Sequence, residues 1–164
     1  MNMKEAKLLK AIELRKLGQK EESNQILQKL ADEYPADAII QYQCAWSFDV
    51  LGQEIAAVPF YEKAIALGLP EEDLQGAYIG LGSTYRTLGE YEKSHHTFLK
   101  GLQLFPRNQA IHVFHAMTLY NLERHEEAMN RLLTSLVETT NDEEIKSYEK
   151  AIRFYSQQLN RIWS

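Results

Sequence analysis

Glycine and proline punctuate this chain at a fixed interval, and that interval constrains the fold more than any other feature. Gly18 to Pro35 and Gly89 to Pro106 span the same distance, and Gly52 to Pro70 is one residue longer. Glycine closes helices and proline cannot continue them, so each interval brackets one helical stretch and each glycine separates two. The residues between agree: in AKLLKAIELRKLG the apolar positions, Leu8 and Ile12 among them, recur at steps of three to four. The strict alternation of a strand is nowhere sustained. Aligned on the glycines, the chain divides into repeats at about 4–37, 38–74, 75–108 and 109–141, with about three extra residues near GLPEED in the second. The period is about 34 residues, the length of a helix-turn-helix unit that cannot bury its apolar face alone and must stack on its neighbours.

Composition narrows the function. With 164 residues and 45% hydrophobic content the chain can bury a core, and one domain over 1–164 is expected. A formal charge of −5 lacks the basic footprint that releases counterions from phosphates, so no nucleic acid is expected as partner. Cys44 is the one cysteine and can form no internal disulfide, which favours a reducing compartment, the cytoplasm. The opening MNMKEAKLLKAIELRKLG is interrupted by charges throughout, unlike a signal peptide, and no later stretch approaches membrane-spanning length, so no membrane association is expected.

The third repeat places Tyr78, Leu81-Gly82, Tyr85, Gly89, Tyr91, Phe98 and Pro106 in a recognisable order, with Ser94 and Gly101 at small-residue places. The second has Ala45, Phe48, Gly52, Ala57, Tyr61 and Ala64, and the first Ala11, Gly18, Leu27 and Pro35. The fourth has Ala116, Leu119, Ala128 and Leu132, but Glu123 stands where the turn glycine belongs and Thr140 where the proline belongs. On these residues the chain resembles the tetratricopeptide repeat family over about 4–141. The resemblance implies an all-α fold, a right-handed superhelix of antiparallel helix pairs.

Physical reasoning supports the same pattern. Small residues such as Ala45, Gly82 and Ala116 let helices approach, while Tyr61, Tyr85, Phe98 and Leu132 fill the space between neighbouring units. A stacked array needs an end cap. Ile145, Tyr148, Ile152, Tyr155, Leu159 and Ile162 form one apolar stripe, predicting a capping helix over about 142–162 opened by Asn141 or Asp142. Its aromatic end, Trp163 included, is alternatively a contact for a second chain. Pro59 removes a helical hydrogen bond, so the helix around it should start late or bend.

Chemistry is sparse. His95 and His96 are adjacent and point apart on a helix; His112 and His115 are three apart and share a face, but no third ligand accompanies them. A metal-binding protein or enzyme using that pair is the rival class. Cys44 lies at a core position, and PEED and NDEE read as helix-start acids rather than catalytic carboxylates. No catalytic residue, metal or cofactor is assigned.

The resemblance implies that the first helix of each unit lines an inner face. On this chain the corresponding residues are Leu8, Ile12 and Arg15; Ile39, Tyr42, Trp46 and Asp49; Ile79, Ser83 and Arg86; and Val113, Met117 and Tyr120. The basic clamp by which certain relatives hold acidic chaperone tails is replaced here by apolar residues. An exposed stripe with Tyr42, Trp46, Met117 and Tyr120 should meet something. Three readings stand: a groove for a peptide or helix of a partner protein, a homodimer surface, or core residues read in the wrong register.

Overall fold

The computed structural model describes residues 2–164, and among them every regular element is a helix. The helices group into two compact units, one reaching to Glu90 and one from Tyr91 to Ser164. The first unit contains α1 (Met3–Lys16), α2 (Lys20–Glu33), α3 (Ala38–Asp49), α4 (Glu54–Leu67) and α5 (Glu71–Thr87). The second contains α6 (Tyr91–Leu104), α7 (Gln109–Asn121), α8 (His125–Thr139), α9 (Glu143–Ser147) and α10 (Glu149–Ser156). The division falls inside the third repeat, between its two helices.

The helix starts follow the sequence. Asp37 and Asn108 occupy equivalent places before the first helix of their repeats, and each accepts from a backbone N–H three residues on, Ile40 at 3.1 Å and Ile111 at 3.0 Å. Such a cap is worth about 1 kcal/mol. Asp37 also receives Lys4 Nζ at 2.8 Å, so the cap ties α1 to the start of α3.

One turn geometry recurs within the helix pairs. The N–H of the glycine bonds the carbonyl three residues back and the next N–H reaches five back, as in Gly18 to Arg15 and Gln19 to Leu14. Gly52 and Gly89 repeat it, each with positive φ. Glu123 makes the same bonds at φ 61, so the fourth repeat keeps the turn without the glycine. A Cβ in that left-handed region costs about 1–2 kcal/mol. Glu123→Gly is therefore expected to stabilise the second unit by about 0.5–1 kcal/mol, after allowing for glycine's greater unfolded-state freedom. Urea denaturation of wild type and variant checks it; an unchanged or lower midpoint contradicts it.

The core of the first unit is made of large residues between small ones. Leu27, Leu30, Ile40 and Tyr61 are buried among Ala11, Ala45, Ala57, Ala64 and Ala77, which let the helices approach closely. In the second unit Phe98, Ile111, Ala116, Leu119 and Ala128 are buried. Leu132, expected as filler between units, is instead exposed on α8.

Two further expectations are revised. α4 begins at Glu54 and runs through Pro59 to Leu67, so it does not start late. Pro59 lies near the first turn and is exposed, where the carbonyl it leaves unbonded is that of the equally exposed Ile55. The capping helix over 142–162 is two shorter helices. Asp142 does open α9, accepting from Ile145 N–H at 2.9 Å, but the helix breaks at Tyr148 and α10 ends at Ser156. Leu159 and Ile162 lie beyond any helix, and Ile162 is 94% exposed. α10 packs on α8, held by Arg153 Nη2 to Glu138 at 2.7 Å and by Ser156 Oγ to Asn130 Oδ1 at 2.9 Å.

Candidate partner-binding surface

Within the first unit α3 packs beside both α1 and α5, so the faces that the sequence assigns to an inner surface are neighbours. Trp46, on α3, is 42% exposed. Tyr42 one turn earlier is only 8% exposed, which corrects the expectation that it forms part of an open stripe. Its ring lies 6.1 Å from that of Trp46 and 6.2 Å from that of Tyr61 on α4, making a tilted run of three aromatic rings.

These rings border a shallow hollow of about 440 Å³ lined by Tyr42, Trp46, Asp49, Val50, Tyr61, Gly76, Ile79 and Gly80. Its far side is α5, where two glycines four residues apart face the tyrosines. A Cβ on Gly76 would fall onto the Tyr42 hydroxyl, and one on Gly80 onto the Tyr61 ring. Backbone and aromatic ring thus meet where any side chain would push them apart.

Two of the charged residues assigned to the inner face, Arg15 and Asp49, are already engaged. Arg15 stacks on Trp46 with its guanidinium carbon 4.0 Å from the ring centre, and donates to Gln43 Oε1 at 2.5 Å and to the Gln43 carbonyl at 3.3 Å. Burial pushes its pKa down, and pushes that of Tyr42 up. Asp49 accepts from Tyr61 Oη at 2.6 Å on one oxygen and from Thr84 Oγ1 at 2.9 Å on the other. Burial raises the Asp49 carboxyl, and burial together with the Asp49 charge raises the Tyr61 phenol. Arg15 fixes Trp46, and Asp49 fixes Tyr61; neither is a free hand for a ligand.

The other assigned residues divide by exposure. Ile39 is exposed on α3; Leu8 and Ile12 on α1 and Ile79, Ser83 and Arg86 on α5 are half-buried, with Leu8 packed against the core. Val113, Met117 and Tyr120 belong to α7 in the second unit. Val113 is half-buried, Met117 and Tyr120 are exposed, and the Tyr120 ring lies 5.0 Å from that of His125.

His95, His96, His112 and His115 are hydrogen-bonded to protein. His115 is fully buried, its Nε2 2.7 Å from His95 Nδ1. His112 pairs instead with Arg131 Nη1 at 2.9 Å and with the Pro106 carbonyl at 2.8 Å. Among the described residues no group of three His, Cys, Asp or Glu side chains is arranged to hold a metal. Cys44 is buried, with its thiol pushed up to about 12 by that burial, which removes it as a nucleophile.

Sequence reasoning missed Gly76, Gly80, Val50 and the position of Tyr61 in the hollow. The signal was present as two glycines four apart inside a helix that has no turn there.

Antiparallel helix pairs repeated along the chain define a helical-repeat scaffold, a class that generally serves protein interaction rather than catalysis. The family model for the tetratrico peptide repeat matches residues 38–159, more than half of the chain, and the chain belongs to that family. Solved structures agree on the fold. MamA 41-end from Desulfovibrio magneticus RS-1 superposes with a TM-score of 0.75 at 14% identity, over 97% of this chain and 90% of that one. PilF of Pseudomonas aeruginosa gives 0.70 at 16%, over 94% and 69%. YrrB, described as a TPR protein with an unusual peptide-binding site, gives 0.70 at 16%, over 94% and 77%. No curated protein sequence matches significantly. Among the described residues no helix is long and apolar enough to cross a membrane.

Proposed function

We propose that this chain is a non-catalytic, cytoplasmic interaction module whose first unit binds a peptide or helix of a partner protein, with an apolar side chain of that partner seated in the hollow beside Trp46. The observation carrying this reading is the pairing of a half-exposed Trp46, stacked on Arg15, with an adjoining hollow walled by Tyr42, Tyr61, Ile79 and two glycines. A pre-oriented tryptophan loses little rotamer freedom on binding, and aromatic anchors next to a ready pocket concentrate binding energy. The small charge inventory of the hollow favours an apolar or aromatic anchor over an acidic tail.

A peptide-library selection against the full chain tests this. Selected peptides should carry an apolar anchor, quench Trp46 fluorescence in a Trp163→Phe background, and lose at least tenfold in affinity on Trp46→Ala while helix content and denaturation midpoint hold. Peptides binding Trp46→Ala equally well would remove the hollow from consideration. Tyr42→Ala is not a clean test, because Tyr42 is buried and its loss would damage the fold.

A second reading is favoured by the exposed cluster at the C-terminal end. Phe154, Tyr155 and Trp163 are each about half exposed with rings 5.2–6.5 Å apart, and would form a self-association surface. Light scattering on the same proteins separates the two: a dimer that persists in Trp46→Ala but dissociates in Phe154→Ala assigns self-association to this end.

A further inference from the structure

A sizeable cavity lies wholly in the second unit. It measures about 880 Å³ and is bordered by Pro106, Arg107 and Gln109, by His112 on α7, and by Glu127, Arg131, Thr134 and Glu138 on α8. Its size falls within the range of small-molecule sites, but its wall is polar where such sites are mostly apolar.

The charges on that wall are not mutually satisfied. Glu127 is held in a two-pronged pair by Arg124, at 2.8 and 2.7 Å. Glu138 is held by Arg153 Nη2 at 2.7 Å, and Arg153 also takes Glu149 at 2.8 Å. Both carboxylates bordering the cavity are therefore committed to arginines outside it. The arginines that do border it, Arg107 and Arg131, have no carboxylate partner among the described residues. Arg131 donates Nη1 to His112 Nδ1 at 2.9 Å and nothing else, leaving Nε and Nη2 unspent. The Arg107 guanidinium makes no hydrogen bond to a described residue.

The tautomer of His112 follows. Because Arg131 can only donate, His112 Nδ1 must accept, so Nε2 carries the proton and donates to the Pro106 carbonyl at 2.8 Å. This bond fixes the imidazole, which in turn fixes the Arg131 head. Burial also lowers the Arg131 pKa, against the opposing charge of Glu127, so the guanidinium is partly desolvated while the nearby carboxylate is already paired with Arg124. Guanidinium groups in that condition match carboxylate and phosphate in charge and in planar, two-pronged geometry.

We infer that the cavity between the α6–α7 connection and α8 is a site for a small oxyanion, a carboxylate or phosphate gripped by Arg131 and Arg107. Arg131 is the positioned contact, and the more exposed Arg107 closes on the anion from the loop. Asn130, whose Oδ1 is occupied by Ser156 at 2.9 Å, retains its amide donors for the remaining oxygens. The site is separate from the hollow of the first unit and does not depend on it.

The test is a titration of the full chain followed through the Arg131 Nε–H resonance. The probes are inorganic phosphate, succinate and an acetylated peptide ending in two aspartates, each against chloride at matched ionic strength. Wild type should shift saturably; Arg107→Gln should raise the midpoint at least fivefold, and Arg131→Gln should abolish saturation seen in neighbouring amides. Lys146→Gln, away from the cavity, should match wild type. Saturation by phosphate or succinate assigns a free anion, whereas saturation by the peptide alone assigns a carboxylate carried on a chain. Shifts that stay linear with all three probes, or an unchanged midpoint in Arg107→Gln, overturn the site. The second criterion holds even if Arg131→Gln proves poorly folded.

Discussion

Tyr61→Ala is expected to destabilise the first unit by about 3–5 kcal/mol, the cost of deleting a large buried aromatic side chain. Against a typical total of about 5–15 kcal/mol this approaches loss of the unit. Tyr61 is among the largest fully buried side chains, it stands against Gly80 of α5, and its hydroxyl satisfies Asp49 at 2.6 Å. Removing it opens a cavity between α4 and α5 and leaves one oxygen of the half-buried Asp49 carboxylate without its donor. Tyr61→Phe separates the two losses. It keeps the ring and removes the bond, and should cost about 1.5–3 kcal/mol, the worth of a hydrogen bond to a charged group. Urea denaturation, with hydrogen exchange in α4 and α5 as the local probe, measures both. A cost under about 1 kcal/mol for Tyr61→Ala would mean that the site collapses without strain, and that the glycine–tyrosine contacts are incidental. Because Tyr61 also lines the hollow, the same variant should lose any peptide that depends on Trp46.

Helix existence, the repeat period and the turns were legible because each rests on a local rule. Gly18, Gly52 and Gly89 take positive φ where the punctuation demanded it, and Asp37, Asn108 and Asp142 cap the helices that follow them. What sequence could not supply was the fate of each side chain in three dimensions. Tyr42 and Trp46 are one helical turn apart and read as equivalent, yet one is buried by Tyr61 and Gly76 while the other stays open. That difference depends on residues more than fifteen positions away. The polar groove residues failed for a related reason: Arg15 and Asp49 are consumed by Gln43 and Trp46, and by Tyr61 and Thr84. The C-terminal stripe follows a continuous 3.6-residue period in sequence, and the break at Tyr148 takes the later members off that face. The histidines show the same limit, since spacing paired His112 with His115 while packing pairs His115 with His95 across α6 and α7.

That last pairing gives the second large effect, an acid sensitivity of the second unit. Arg124 Nη1 donates to His95 Nε2 at 3.1 Å, which obliges His95 Nδ1 to carry the proton and donate to His115 Nε2 at 2.7 Å. The remaining proton of a neutral His115 therefore sits on Nδ1, a buried atom without a hydrogen-bond partner among the described residues. A cation there has no counter-charge. Burial chiefly, and then the charges of Arg131, His95, Arg124 and His112, lower the His115 pKa from 6.5 to about 3. The same causes, burial first and Arg124 second, lower His95, while Glu92 and Glu127 oppose them. The sign follows from linkage. Between 6.5 and about 3 the unfolded chain binds a proton at His115 that the folded chain refuses, so stability is full above pH 6.5 and falls as the pH drops. The slope is about 1.4 kcal/mol per pH unit for one such group, or roughly 2–3 kcal/mol lost by about pH 4.5. His115→Gln keeps a neutral polar side chain that does not titrate. Its denaturation midpoint should be lower than wild type at neutral pH but decline less steeply in acid, so that the two stability curves converge. Parallel curves for the two proteins would show that His115 is protonated in the folded state without cost, and the Arg124–His95–His115 chain would lose its assigned tautomers.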